Sequence, residues 1–328
     1  MASSLSYEMR SSARLFAKKA PRIQPMTAAT MITKTIISIS SAMRCPGLLG
    51  LKGYGKVYMS YFTVCQMLQG VALDFDGTIG RTMERQHSWF QYWAEQNNSS
   101  FDMSFEDFVP WYNELLTQPG GVQNVYDESG LPCDMNDRGH PVWPAYETFK
   151  TENPASFYPG MRKAIVDIAE AGRLTADPKR NRRLRMAINT SNTWRSIYPE
   201  LAQEDVVGYF DSFVTHEVLE QYHGAEQPAT LHKPSKVSLA LILGLIDSEG
   251  AHTMHVGDTL NDLAASQKVV WLNPAHPETL ITVGCAWGYE GRESLEKGLK
   301  GEAGTAHFNH IIDKPEELFP VVQQYLHE

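Results

Sequence analysis

Apolar and polar positions along this chain fall into two alternating rhythms. The run Val71-Ala72-Leu73 is short, uninterrupted and closed by Asp74, the pattern of a strand buried on both faces of a parallel sheet. After Gly80 the rhythm turns helical, and residues 84–96 carry Trp89, Phe90, Tyr92 and Trp93. Ser104-Phe105-Glu106-Asp107 has the form of a capping box that opens a second helix, with Phe105, Phe108, Trp111, Tyr112 and Leu115 as its apolar set. Pro110 is expected to kink or shorten that helix, because it removes one hydrogen bond from the ladder. Residues 118–144 are rich in Gly, Pro, Asp and Asn and read as a long irregular loop, and further helix begins over Pro144 to Phe149.

Strand and helix then alternate. Met161 to Ala171 reads as a helix closed by Gly172, Leu184 to Ile188 as a strand, Phe210 to Thr215 as another, and Ser235 to Leu245 as a helix. Thr253 to Val256 is a strand followed by helix from Leu260 to Ser266, and Val269 to Leu272 and Val283 to Trp287 are later strands. The fold class is α/β, a doubly wound parallel sheet with a smaller helical insertion after the first strand. The expected division is a basic leader over 1–66, an α/β core over 67–83 and 155–328, and a helical domain over 84–154.

Composition changes this picture little: 42% apolar and 20% charged residues over 328 positions describe an ordinary globular protein. Four scattered cysteines form neither a CxxC pair nor a disulfide framework. Charge is more telling. Residues 1–70 hold nine Lys and Arg against Glu8 alone, while residues 71–328 hold 20 basic and 37 acidic side chains. An acidic body argues against nucleic acid as a partner. The Ser-rich, basic, acid-poor leader has the composition of a transit peptide to a mitochondrion or plastid; without that address the expected location is cytoplasmic. Val57 to Leu73 carries no charge, but Gln66, Gln69 and Gly70 interrupt it and it ends in the first strand, so no membrane segment is expected.

The chemistry collects at strand ends. Asp74 and Asp76, two residues apart, project alike while the backbone stays extended, and Gly77 lets the chain turn sharply. One carboxylate can attack while its neighbour moves a proton. Thr190, Ser191 and Asn192 follow the second strand, where hydroxyl, amide and backbone N–H groups can hold phosphate oxygens. Lys233, ahead of Pro234 at an expected first helical position, offers a point charge to a phosphoryl group. Asp258 and Asp262, one helical turn apart after the strand Met254-His255-Val256, complete with Asp74 an all-oxygen cluster suited to Mg²⁺.

Taken in order, Asp74-x-Asp76-Gly77-Thr78, Thr190, Lys233-Pro234 and Gly257-Asp258-x-x-x-Asp262 resemble the four motifs of the haloacid dehalogenase superfamily over residues 68–328. Phe157-Tyr158-Pro159-Gly160 looks like the stretch that re-enters the core after an inserted helical cap. Trp287-Gly288-Tyr289 is similar to the phosphoglycolate-phosphatase-like branch. The resemblance implies a Mg²⁺-dependent phosphohydrolase acting on a small phosphorylated metabolite, such as phosphoglycolate or a sugar phosphate. In that scheme Asp74 forms an aspartyl-phosphate and Asp76 serves as acid and then base. The metal is held by the Asp74 and Asp258 carboxylates and the backbone carbonyl of Asp76, with Asp262 either a further ligand or a group that orients the ligands, and the phosphoryl group by Thr190, Ser191 and Lys233.

The chain departs from many capped relatives at Gly80-Arg81-Thr82, where an acidic residue and a Ser are common, and Arg81 becomes a possible substrate contact. A dehalogenase does not need Asp76, and a Schiff-base phosphonate hydrolase needs a cap lysine, whereas residues 84–149 contain none. A sugar-phosphate mutase and a catalytically silent binding protein on the same fold are the alternatives. The expected substrate-reading element is the 118–144 loop, carrying Arg138 and His140 over the active site. The aromatic residues Trp89, Phe90, Trp93, Trp111 and Tyr112 are expected mostly to fill the core of the cap.

Overall fold

The computed structural model describes residues 68–326 apart from 136, 138, 175–183, 224–227, 249, 270–279 and 302–303. The leader, Arg138 and residues 270–272 of the expected strand Val269–Leu272 therefore lie outside the described residues; Val269 itself ends a helix.

The first strand, β1 (Gly70–Leu73), is followed by four helices, α1 (Thr82–Gln96), α2 (Phe105–Thr117), α3 (Val122–Ser129) and α4 (Val142–Glu152). Alternation then begins with α5 (Met161–Leu174), β2 (Arg185–Asn189), α6 (Trp194–Gln203), β3 (Ser212–Val214), α7 (His216–His223) and α8 (Val237–Leu245). It ends with β4 (Thr253–Gly257), α9 (Leu260–Val269), β5 (Ile281–Cys285), α10 (Gly291–Lys297), the hairpin β6 (Leu299–Gly301) and β7 (Gly304–Ala306), β8 (His310–Ile312) and α11 (Leu318–Gln324). Six strands form one parallel sheet in the order β3-β2-β1-β4-β5-β8.

Period-two alternation assigns the two faces of the sheet. Val71 and Leu73, with Met186, Ile188, Met254 and Val256, pack under α5, α6 and α11. Ala72 and Ala187, between them in sequence, pack on the opposite face against Leu219, Leu239 and Ile242 of α7 and α8. Burial on both faces is why β1 reads as an uninterrupted apolar run. Register then fixes the site: Leu73 lies beside Ile188 on one neighbour and Val256 on the other. Asp74, Thr190 and Asp258 thus leave the carboxyl ends of three adjacent strands, where open α/β sheets bind ligands.

The four helices after β1 bury a separate apolar cluster. Trp89 and Trp93 stack with ring centroids 5.3 Å apart, and Phe90 stacks on Tyr126 at 4.9 Å. The Trp89 indole donates to the Tyr126 hydroxyl at 2.7 Å, which satisfies its buried polar end. The aromatic residues of this region are thus largely core, with Trp111 only partly buried. Ser104 caps α2 as its sequence indicates, accepting from the Asp107 N–H at 3.1 Å. Pro110 lies inside α2, which runs on to Thr117.

The segment 118–144 is not one irregular loop. It contains α3, closed by Gly130 at φ +68°, and the start of α4. Val125 and Tyr126 give α3 a buried face, so tertiary packing overrides the Gly- and Asn-rich composition around it. The helix expected from Ser235 begins at Val237, and Pro234 sits in the turn before it.

Candidate active site

The turn after β1 is built by its backbone. The Asp74 N–H donates to the Val256 carbonyl at 2.8 Å, extending the pairing of β1 with β4 by one residue. The carbonyl of Phe75 accepts from both Ile79 and Gly80 at 2.9 Å. Gly77 adopts φ +76°, and a Cβ there would also strike the Asp258 carboxylate.

Asp258 is fully buried and held at both oxygens. Thr78 Oγ1 donates to its Oδ1 at 3.1 Å and the Tyr289 N–H to its Oδ2 at 2.7 Å. Gly288 packs so closely that a Cβ would overlap this carboxylate. Asp262, at the start of α9, accepts from the Thr259 N–H at 3.1 Å and the Thr259 hydroxyl at 2.7 Å. Its other oxygen lies 2.6 Å from Lys233 Nζ, which is also 2.6 Å from Asp74 Oδ1.

Asp74, Asp258 and Asp262 are all buried and bring one oxygen each within 4.8 Å of the others. Burial pushes the Asp74 carboxyl up to about 7, with Asp262 and Asp76 adding to the rise and Lys233 opposing it. Burial, then Asp74 and Asp262, hold Asp258 well above the carboxylate range. Burial would also raise Asp262, but Lys233 and then His255 outweigh it and hold this carboxyl low. One lysine therefore compensates one of three acids. The remaining negative charge and the hard oxygen donors fit a divalent cation such as Mg²⁺.

Asp76 faces the other half of the site. Asn192 Nδ2 donates to its two oxygens at 2.7 and 2.8 Å, and Thr190 Oγ1 to Oδ2 at 3.2 Å. The Thr190 oxygen in turn accepts from the Asn192 N–H at 3.0 Å. Thr190, expected on a phosphoryl group, here orients Asp76. Ser191 lines the cavity above these groups.

That cavity, of about 970 Å³, has Asp74, Asp76 and Lys233 among its lining residues. Its other wall comes from α2, with Val109, Pro110, Asn113, Glu114 and Leu116. Asn113 is anchored by donating to the Tyr289 carbonyl at 2.8 Å.

Of the expected substrate contacts outside the motifs, Arg138 lies outside the described residues, and Arg81 and His140 stand elsewhere. Arg81 pairs with Glu84 at 2.5 Å and does not line the cavity. His140 accepts the Val142 N–H at 3.2 Å at the start of α4 and is likewise absent from the cavity wall. Among the described residues, α2 lines the cavity and the 118–144 segment does not. Lys150 is buried against Ser196, to which it donates at 3.0 Å. Asn192, read in the sequence with Thr190 and Ser191 as a holder of phosphate oxygens, here binds Asp76, and Tyr289, singled out there only for its likeness to one branch, holds Asp258. The residues missed in the sequence are Asn113, Glu114 and Arg85, the last pairing with Glu200 of α6 in a buried contact between the inserted helices and the core. None of these three carried a local signal.

The family model described as haloacid dehalogenase-like hydrolase matches residues 71–270. The chain belongs to the haloacid dehalogenase-like hydrolases. No curated protein sequence matches it. Among solved structures, this haloacid dehalogenase-like chain is similar to a Thermotoga maritima protein named, by inference, as a β-phosphoglucomutase. The two share 17% identity over 78% of this chain and 99% of that one, with a TM-score of 0.53. A Clostridium difficile protein named, by inference, as a phosphatase aligns at 14% identity over 78% and 99%, with a TM-score of 0.52. At these identities the likeness establishes the haloacid dehalogenase-like fold, a Rossmann-type core carrying additional helices.

Proposed function

We propose that this protein is a phosphohydrolase that cleaves a small phosphate monoester through an aspartyl-phosphate on Asp74. The observation that carries the reading is Lys233, 2.6 Å from both Asp74 and Asp262 at the floor of a cavity that Asp76 also lines. An Asp74 oxygen bonds to phosphorus as the ester P–O bond breaks. Asp76 gives its proton to the departing alkoxide, then takes one from the water whose oxygen attacks phosphorus. The Asp74–phosphorus bond breaks and orthophosphate leaves.

Thr190 and Asn192 hold the Asp76 carboxyl in place by hydrogen bonds to both of its oxygens, which supports its role as the acid and base of the two half-reactions. Lys233 supplies a fixed positive charge to the transferring phosphoryl oxygens, where preorganised charge lowers the barrier. Asp74, Asp258 and Asp262 would hold Mg²⁺, with the Asp76 carbonyl as a further donor. Bound there, Mg²⁺ would neutralise charge developing on phosphoryl oxygens. Thr78 and the Tyr289 N–H orient Asp258 for that role.

Phosphate release from a panel of phosphorylated metabolites, with and without Mg²⁺ and with Asp74→Asn as control, tests the reading. Mg²⁺-dependent release lost in the variant supports it. A folded wild-type protein that releases none contradicts it, and isomerised phosphate ester in its place would identify a mutase.

A further inference from the structure

The cavity is electrostatically lopsided. At its floor Lys233 and the carboxylate cluster manage the phosphoryl group. The walls farther out are polar or acidic: Asn113 and Glu114 from α2, Asn261 from α9, and Glu290 and Ser294 around the start of α10. Val109, Pro110 and Leu116 add apolar surface. Among the described lining residues Lys233 is the only lysine or arginine, and both its ion-pair contacts lie on the floor, to Asp74 and Asp262.

Glu290 is fixed in this wall. Its Oε2 accepts from the Leu260 N–H at 3.0 Å and from Ser294 Oγ at 3.4 Å. Burial raises its carboxyl above the ordinary range, with Asp262 adding to the rise. Glu114 stands on the α2 side of the same cavity, next in sequence to the anchored Asn113. A carboxylate or second phosphate on the substrate's alcohol would meet these acids with no lysine or arginine besides Lys233 among the described lining residues to receive it. Like charges brought together in this way reject a ligand, and unpaired polar groups sharpen the rejection. Hydroxyl or ammonium groups would find acceptors instead.

Resting on the phosphohydrolase reading, we infer that Glu114 and Glu290 select a phosphate monoester whose alcohol carries hydroxyl or amine donors and no anionic group of its own. Phosphoglycolate, the substrate suggested by the branch the sequence resembles, is disfavoured by its carboxylate.

Glycerol phosphate and phosphoglycerate test this, because they differ chiefly in a hydroxymethyl group against a carboxylate. With the full chain and Mg²⁺, kcat/KM for glycerol phosphate should exceed that for phosphoglycerate by about tenfold or more. Glu114→Lys should shrink that ratio by about tenfold, and Glu290→Gln should shrink it in the same direction. If the lysine variant does not fold, Glu114→Gln provides the same readout with a smaller change. A wild-type preference for phosphoglycerate, or a ratio unmoved in the folded variants, overturns the inference. Cleavage of p-nitrophenyl phosphate in those cases leaves the phosphohydrolase reading standing. A folded wild-type protein that cleaves none of the three esters overturns both.

Discussion

The side-chain amide of Asn113 donates to the backbone carbonyl of Tyr289 at 2.8 Å. The N–H of Tyr289 in turn holds Asp258 at 2.7 Å, and its hydroxyl bonds Thr82 at the start of α1. One residue thus links the helix that walls the cavity to a carboxylate of the acidic cluster. Asn113→Ala removes the cap-side half of this link. A single hydrogen bond contributes about 1 kcal/mol, so kcat/KM should fall about fivefold while the fold survives. Steady-state kinetics beside a thermal melt checks this; unchanged kinetics would separate the cap contact from the chemistry.

Lys233→Ala should be far more damaging. It deletes a preorganised charge of the kind that contributes about 2–4 kcal/mol to a transition state, so kcat should drop about 30- to 1,000-fold. The same change leaves Asp74 and Asp262 buried without their shared counter-charge, and the metal-free melting temperature should also fall. A variant with wild-type kcat at saturating Mg²⁺ would refute the role given to Lys233.

Gly288→Ala probes the acidic cluster without altering any of its acids. The new methyl group must displace the Asp258 carboxylate. Disturbing the groups around a metal ligand commonly costs about 10- to 100-fold in affinity, so the Mg²⁺ concentration for half-maximal activity should rise by about that factor. A Mg²⁺ titration of activity is the check, and an unchanged midpoint would count against Asp258 as a ligand.

Acid sensitivity has an identifiable contributor in His232. Burial, together with the neighbouring His216 and Lys233, lowers its pKa to about 4. The His216 and His232 ring nitrogens lie 2.9 Å apart. A depressed folded-state pKa means the folded protein keeps His232 neutral where the unfolded chain would protonate it. The associated stability is whole above the unfolded value of about 6.5 and is lost as pH falls through about 4. Wild-type protein should therefore lose more stability over that window than His232→Gln, read as the difference in unfolding free energy at pH 7 and pH 4. Parallel pH profiles for the two proteins would dismiss the assignment.

The parts of the fold that sequence reveals are those governed by local rules. Val71-Ala72-Leu73 announces a buried strand because both faces of β1 are covered, and Ser104 announces α2 because capping is a short-range hydrogen bond. Asp74, Asp76, Asp258 and Asp262 were legible because each follows a strand or opens a helix, and parallel register carries such positions to one edge of the sheet.

What escaped is non-local. Asn113 and Tyr289 are separated by 176 positions, and nothing near either indicates the other. Arg85 pairs with Glu200 of α6, 115 positions away, and nothing local to either marks the contact. The segment 118–144 misled for a different reason: its Gly and Pro residues mark the ends of α3 and α4 rather than a continuous loop. With α3 and α4 folded into the helical cluster, the cavity wall passes to α2, where Pro110, expected to kink or shorten that helix, and Asn113 both line it.

The covalent step on Asp74 is best tested with Asp76→Asn, which retains the attacking carboxylate but lacks the base for the second half-reaction. The folded variant would be mixed with p-nitrophenyl phosphate and Mg²⁺, quenched in acid, digested and examined by mass spectrometry. The mechanism predicts a burst of p-nitrophenol and a mass gain of one phosphoryl group on the peptide containing Asp74. Wild-type turnover with no phosphoryl group trapped in the variant, or a phosphoryl group on any other residue, would contradict it.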